Sequence, residues 1–212
     1  MDLFTIPDYR VILASASQTR VAMLASAGIA FTAEPAAINE AAIKHAGRAE
    51  NIEPLDIAIL LAEMKAAAIA QQYGQGHFII GSDQILVCDG EIISKPKNAK
   101  EAGEQLAFLS GKTHQLITAV VVFRDGVRIW HHVETPTLQM RRLAPDFIDS
   151  YLAAMGEAAL FSPGSYQIEA LGAHLFTKIF GCHYAVLGMP LLDLLAFLRE
   201  HGLAPNGAIK AG

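Results

Sequence analysis

The 212-residue chain is poor in the features that would place it outside an ordinary folded domain. It has only two cysteines, Cys88 and Cys182, far apart and in no CxxC pair. That argues against a disulfide scaffold and fits two thiols in a reducing cytosol. Charged residues make up only 17% against 52% hydrophobic ones, which excludes a disordered chain. Positive charge is in deficit. The net charge of −5 leaves no footprint for a nucleic-acid polymer, although a local basic pocket for phosphate is compatible with it. No apolar run approaches the roughly 18 residues of a membrane span. The start, "MDLFTIPDYR", is acidic and broken by Pro7, so it does not read as a signal peptide. The expectation is a cytoplasmic protein with no membrane partner. Two familiar nucleotide and hydrolase motifs, GxxxxGK[ST] and GxSxG, are also missing.

What is present is a mixture of buried runs, hairpins and amphipathic helices. Residues 10–14 read as a buried strand, and 18–27 as a helix capped by Ser17 and stopped at Gly28. Residues 54–73 form the clearest helix, with Ile57, Leu60, Leu61, Met64 and Ala68 on one stripe. "HFIIGSD" is a second buried strand, and "QILVCDGEII" a hairpin about Asp89-Gly90. Helices follow at 98–109 and 145–155, two long strands meet at Asp125-Gly126, and Pro190 opens a last helix. Gly-rich strands and turns fill 160–189, and 203–212 reads as a flexible tail. The pattern implies an α/β or α+β fold with a mixed sheet, in one domain of two lobes over 1–212.

Several residues have the chemistry of a phosphate site. The turn Ser15–Arg20 joins a strand to a helix, where free backbone N–H groups and the helix dipole favour an anion. Ser15 and Ser17 add hydroxyls and Arg20 a guanidinium fork. Asp83 follows a buried strand, and Lys95 is aimed by Pro96. Taken singly, each also reads as a cap, a turn residue or a solvated charge. Glu40 and Lys65 read equally well as surface charges.

Their order along the chain is more specific. "VILASASQTR…LLASAGI", "IGSDQILVCDGEIISKPKNAKEA", "LSGKTHQLITAV", "GSYQIEALGAHLFTKIFG" and "HYAVLGMPLLDLL" together resemble the Maf family of nucleotide pyrophosphatases, over roughly residues 10–201. The resemblance implies an inosine-triphosphate-pyrophosphatase-like fold, an elongated mixed sheet flanked by helices with two lobes around a central cleft. It implies a homodimer, and a family name tied to septum formation. It implies hydrolysis of a nucleoside triphosphate to the monophosphate and pyrophosphate, with a divalent metal, Mg²⁺ or Mn²⁺.

Residue by residue, the resemblance makes Asp83 the general base and Glu40 a metal ligand, with Asp83 able to share that role. Lys65 and Lys95 become lysines near the polyphosphate, and Ser15, Ser17, Thr19 and Arg20 the phosphate turn. The usual turn, Ser-x-Ser-Pro-Arg-Arg, has Gln18 and Thr19 here in place of proline and the first arginine. The usual Gly-Ala-Asp-Thr is Gly81-Ser82-Asp83-Gln84. Members acting on dTTP and UTP carry threonine and glutamine where this chain has Gln84 and Glu169. The branch preferring 7-methyl-GTP carries glutamine and glutamate, as here. A dTTP/UTP pyrophosphatase and a non-catalytic nucleotide-binding regulator of cell division are the alternative expectations.

Overall fold

A computed structural model describes residues 10–205. The start of the chain, with Pro7, and most of the expected tail lie outside the described residues.

The elements run in the order β1 (Val11–Leu13), α1 (Gln18–Ser26), β2 (Thr32–Ala33), α2 (Glu40–Ala49), α3 (Pro54–Ala70), β3 (Phe78–Cys88) and β4 (Glu91–Ile93). Then come α4 (Ala99–Leu109), β5 (Thr113–Arg124), β6 (Val127–Glu134), β7 (Thr137–Met140) and α5 (Pro145–Met155). Three 3₁₀ turns between residues 156 and 175 lead to β8 (Phe176–Phe180), α6 (His183–Val186) and α7 (Leu191–Glu200). The eight strands form one mixed sheet in the order β2-β1-β3-β5-β7-β8, with β4 on β3 and β6 on β5. This is the mixed α/β architecture expected. No described helix is long and apolar enough to cross a membrane.

The chain divides into two compact units. The first takes residues up to Asp83, then Ala119–Val133 and everything from Gly188. The second takes Gln84–Thr118 and Glu134–Leu187. Strands β3 and β5 each contribute to both.

In the first unit β1 lies parallel to β3, with Leu13 opposite Ile80. The Ala14 N–H donates to the Ile80 carbonyl at 2.8 Å, so the chain leaves β1 alongside Gly81–Asp83. Helix α3 differs from its expected face. Ile57 and Leu61 are buried as expected, but Leu60 and Met64 are more than a third exposed, while Ala58, Ala62, Lys65, Ala66 and Ile69 are buried. The cause is Gly81. A Cβ there would lie 2.1 Å from the Ala62 carbonyl oxygen and 3.0 Å from the Ala66 Cβ. The helix backbone rests on a strand position without a side chain, so the contact face is small rather than bulky.

Two strand boundaries were also misplaced by the pattern. "HFIIGSD" and "QILVC" are one strand, β3, running on without a break. The second long strand is two, β6 and β7, separated at Thr135-Pro136. Proline has no N–H for the ladder, and this interrupts pairing there.

The second unit packs Leu86, Leu106, Leu109, Leu138, Met140, Tyr151, Tyr166 and Leu175 into one core. His114 is buried in it. Its Nε2 pairs with the Tyr166 hydroxyl at 2.8 Å, and its Nδ1 has no partner among the described residues. Burial pushes the imidazole down from its ordinary 6.5 to about 4. The unfolded chain therefore takes up the proton at higher pH than the folded one. Stability from this group is complete above about pH 6.5 and is lost as pH falls towards 4, by on the order of 3 kcal/mol. The expected result is a Tm that drops through this window, with a shallower slope in His114→Phe. Parallel slopes would show that some other group carries the acid sensitivity.

Candidate active site

The turn from Ser15 to Arg20 follows from its local chemistry. Ser17 caps α1, its hydroxyl accepting the Arg20 N–H at 3.4 Å. The Ser17 N–H in turn donates to the Ser15 Oγ at 3.1 Å. Arg20 is not a surface charge: it is 9% exposed. Its Nε donates to the Gly188 carbonyl at 2.7 Å and its Nη1 to the Ser15 Oγ at 3.4 Å. Burial pushes the guanidinium pKa down, and the charges of Asp83 and Glu40 push it back up. The arginine is thus close enough to both carboxylates to feel them, and it remains charged.

Three further groups converge in the same unit. Lys65 lies on the buried face of α3 and is 8% exposed. Its Nζ donates to Asp83 Oδ1 at 2.5 Å and pairs with Glu40 Oε1 at 2.7 Å. Asp83 is 3% exposed, and its Oδ2 is buried with no hydrogen-bond partner among the described residues. A buried carboxylate oxygen left unpaired is costly, so its persistence points to a ligand. Glu40 opens α2, beside the cap Asn39, whose side chain accepts the Ala42 N–H. Ser15, Ser17, Thr19, Arg20, Glu40, Lys65 and Asp83 therefore all belong to one unit, and Glu40, Lys65 and Asp83 are in direct contact.

Lys95, Gln84 and Glu169 belong to the second unit. Lys95 is exposed after β4. Gln84 is on β3, next to Asp83. Its Nε2 reaches Thr118 Oγ1 at 2.9 Å and the Ala185 and Val186 carbonyls at 2.8 and 3.2 Å. Carbonyls only accept, so the NH₂ end must face them, and the amide oxygen is what Gln84 offers a ligand. Glu169 is exposed in a turn in which the Ala170 and Gly172 N–H groups both donate to the Gln167 carbonyl at 3.1 Å. A Cβ at Gly172 would lie 2.3 Å from that oxygen, so the tight turn requires glycine.

Two contributors had no sequence signal as site residues. The Gly188 carbonyl holds Arg20 and also accepts from Ser82 Oγ at 3.0 Å. Gly188 sits at φ +107°, where an L side chain is strained, so its glycine is the one visible trace. Ser82 is fully buried, and its single O–H is shared between the Gly188 carbonyl and the Ala119 carbonyl, the latter at 2.8 Å.

Comparison with known proteins gives a consistent result. The family model described as Maf-like protein matches residues 10–201. A protein of Paramagnetospirillum magneticum named nucleoside triphosphate pyrophosphatase is 46% identical over 191 residues, covering 90% of this chain and 98% of that protein. Proteins named 7-methyl-GTP pyrophosphatase in Rhizobium meliloti and Mesorhizobium japonicum are 43% and 42% identical, each covering 91% of this chain and 96% of its own length.

Proposed function

The chain belongs to the Maf-like family, and from that premise we propose that it hydrolyses the α–β anhydride of a nucleoside triphosphate, giving the monophosphate and pyrophosphate, with 7-methyl-GTP as substrate. The observation that carries the reaction is the unpartnered Asp83 Oδ2. Lys65 occupies Oδ1, so Oδ2 is the oxygen that takes the proton from the attacking water. Ser15, Ser17, Thr19 and the helix N-terminus hold phosphate oxygens, with Arg20 as the fixed cation behind them.

A divalent cation belongs to the same proposal. Hard oxygen ligands suit Mg²⁺ or Mn²⁺, and the two carboxylate oxygens that meet at Lys65, Glu40 Oε1 and Asp83 Oδ1, fit that donor set. Glu40, with Asp83 beside it, would hold the ion. Bound there, the ion would offset polyphosphate charge. A cytoplasmic homodimer completes the reading.

The choice of nucleotide rests on two acceptors. The guanine edge offers adjacent donors at N1 and N2, which suit the Glu169 carboxylate and the amide oxygen of Gln84. Uracil alternates acceptor and donor, which a carboxylate opposes. Methylation at N7 adds positive charge to the purine and favours an anionic partner. Two relatives named for 7-methyl-GTP support the same branch. Wild-type protein should favour 7-methyl-GTP over UTP. Glu169→Gln should move the ratio of kcat/KM values towards UTP by at least about tenfold. A wild type favouring dTTP, or an unchanged ratio in the variant, would overturn the substrate while leaving the reaction untouched.

A further inference from the structure

The Lys65 ammonium lies between the two carboxylates assigned to the divalent cation. It is 2.7 Å from Glu40 Oε1 and 2.5 Å from Asp83 Oδ1. Two of its three N–H donors are spent on those oxygens, which leaves at most one for a phosphate. Lys65 therefore is poorly placed to be chiefly a phosphate ligand. The local charge is already balanced, with two carboxylates against the Lys65 ammonium and the Arg20 guanidinium that feels both of them.

We propose that Lys65 is a positioning residue that competes with the divalent cation for the Glu40–Asp83 pair. In the free protein it keeps the pair occupied and the site weak for bare metal. The cation then binds well only together with a triphosphate, whose own negative charge restores the attraction. The same contact fixes the Asp83 carboxylate, turning Oδ2 rather than Oδ1 towards the reaction. The inference rests on the assignment of the metal to Glu40 and Asp83, and the test separates the two.

Mn²⁺ binding to metal-stripped, full-length protein without nucleotide, followed by the paramagnetic signal of the free ion, reads this directly. Lys65→Met removes the charge and keeps the length of the side chain. Lys65→Gln keeps a hydrogen-bond donor and serves equally if the methionine variant does not fold. Either should bind Mn²⁺ at least about tenfold more tightly than wild type, because a unit positive charge a few ångströms away is gone. Turnover should fall in the same variants. Lys65→Arg, which keeps the charge, should not gain affinity.

A merely structural lysine, or one that only holds phosphate, predicts unchanged or weaker Mn²⁺ binding in Lys65→Met and Lys65→Gln. That result would overturn the proposal. The double variant Lys65→Met with Glu40→Gln should lose the gained affinity. If the gain survives, the ion is held elsewhere and the metal assignment itself fails. If the gain never appears while Glu40→Gln in the wild-type background weakens Mn²⁺ binding, the metal assignment stands and only the competing role of Lys65 falls.

Discussion

Asp83→Asn should reduce kcat for pyrophosphate release by about 10²–10⁴-fold at saturating Mg²⁺, the usual cost of removing a positioned general base. The substitution is close to isosteric in a site that is 3% exposed. The remaining amide oxygen still accepts from Lys65. The NH₂ group, placed where Oδ2 was, accepts no proton. Glu40→Gln should behave differently, raising the metal concentration required while retaining more of the maximal rate. Activity of Asp83→Asn within a few-fold of wild type, in protein with native circular dichroism, would remove Asp83 from the chemistry.

Gly81→Ala should damage both the fold and the site. The added methyl would meet the Ala62 carbonyl oxygen at 2.1 Å, well inside any real contact, and the obstacle is helix backbone rather than a mobile side chain. Helix α3 must then move off β3. Overpacking of this kind costs about 1–3 kcal/mol and sometimes more, or several degrees of Tm for a chain of this size. The catalytic loss should exceed what the unfolded fraction explains. Gly81 and Asp83 share one face of β3, and Lys65 lies between Ala62 and Ala66 on α3. The absence of a side chain at 81 brings the lysine within 2.5 Å of the aspartate. Measurement of Tm together with the kcat of the folded fraction checks both halves. Unchanged kcat in folded Gly81→Ala would show that the Lys65–Asp83 contact does not depend on this close packing.

Local chemistry carried part of this structure plainly. The Ser17 cap and the small-residue turn placed α1 to within a residue, because caps act over three or four positions. Helix α2 was not legible. Gly47 is its one buried residue, and its local signals, the cap Asn39 with Glu40 in the first turn and Arg48 in the last, are ones that exposed loops also carry. The face of α3 was right at Ile57 and Leu61 and rotated by about one residue elsewhere, for a tertiary reason. Leu60 and Met64 are the greasier residues, but the bare Gly81 selects the side that can approach closest. Lys65, an ordinary surface charge by pattern, is buried for the same reason. The role of the Gly188 carbonyl could not be read, since a backbone oxygen has no signature of its own and only the glycine required at φ +107° marks the place. For Glu169 the turn is explained by Gly172, while its partner base is argued from hydrogen-bond matching alone.

The Arg20–Gly188 hydrogen bond spans 168 positions in sequence. The first unit is assembled from three separate stretches, and the last begins at Gly188. The second unit lies wholly within residues 84–187. On a ribosome, therefore, the part of the chain made first cannot be finished first. The Ser15–Arg20 turn precedes all of the second unit, yet its arginine lacks the Gly188 carbonyl until residue 188 has been synthesised. Contacts this distant in sequence form slowly, so the first unit is the late-maturing one, and a chain ended just before residue 188 would contain every segment of the other unit while Arg20 lacked this hydrogen bond.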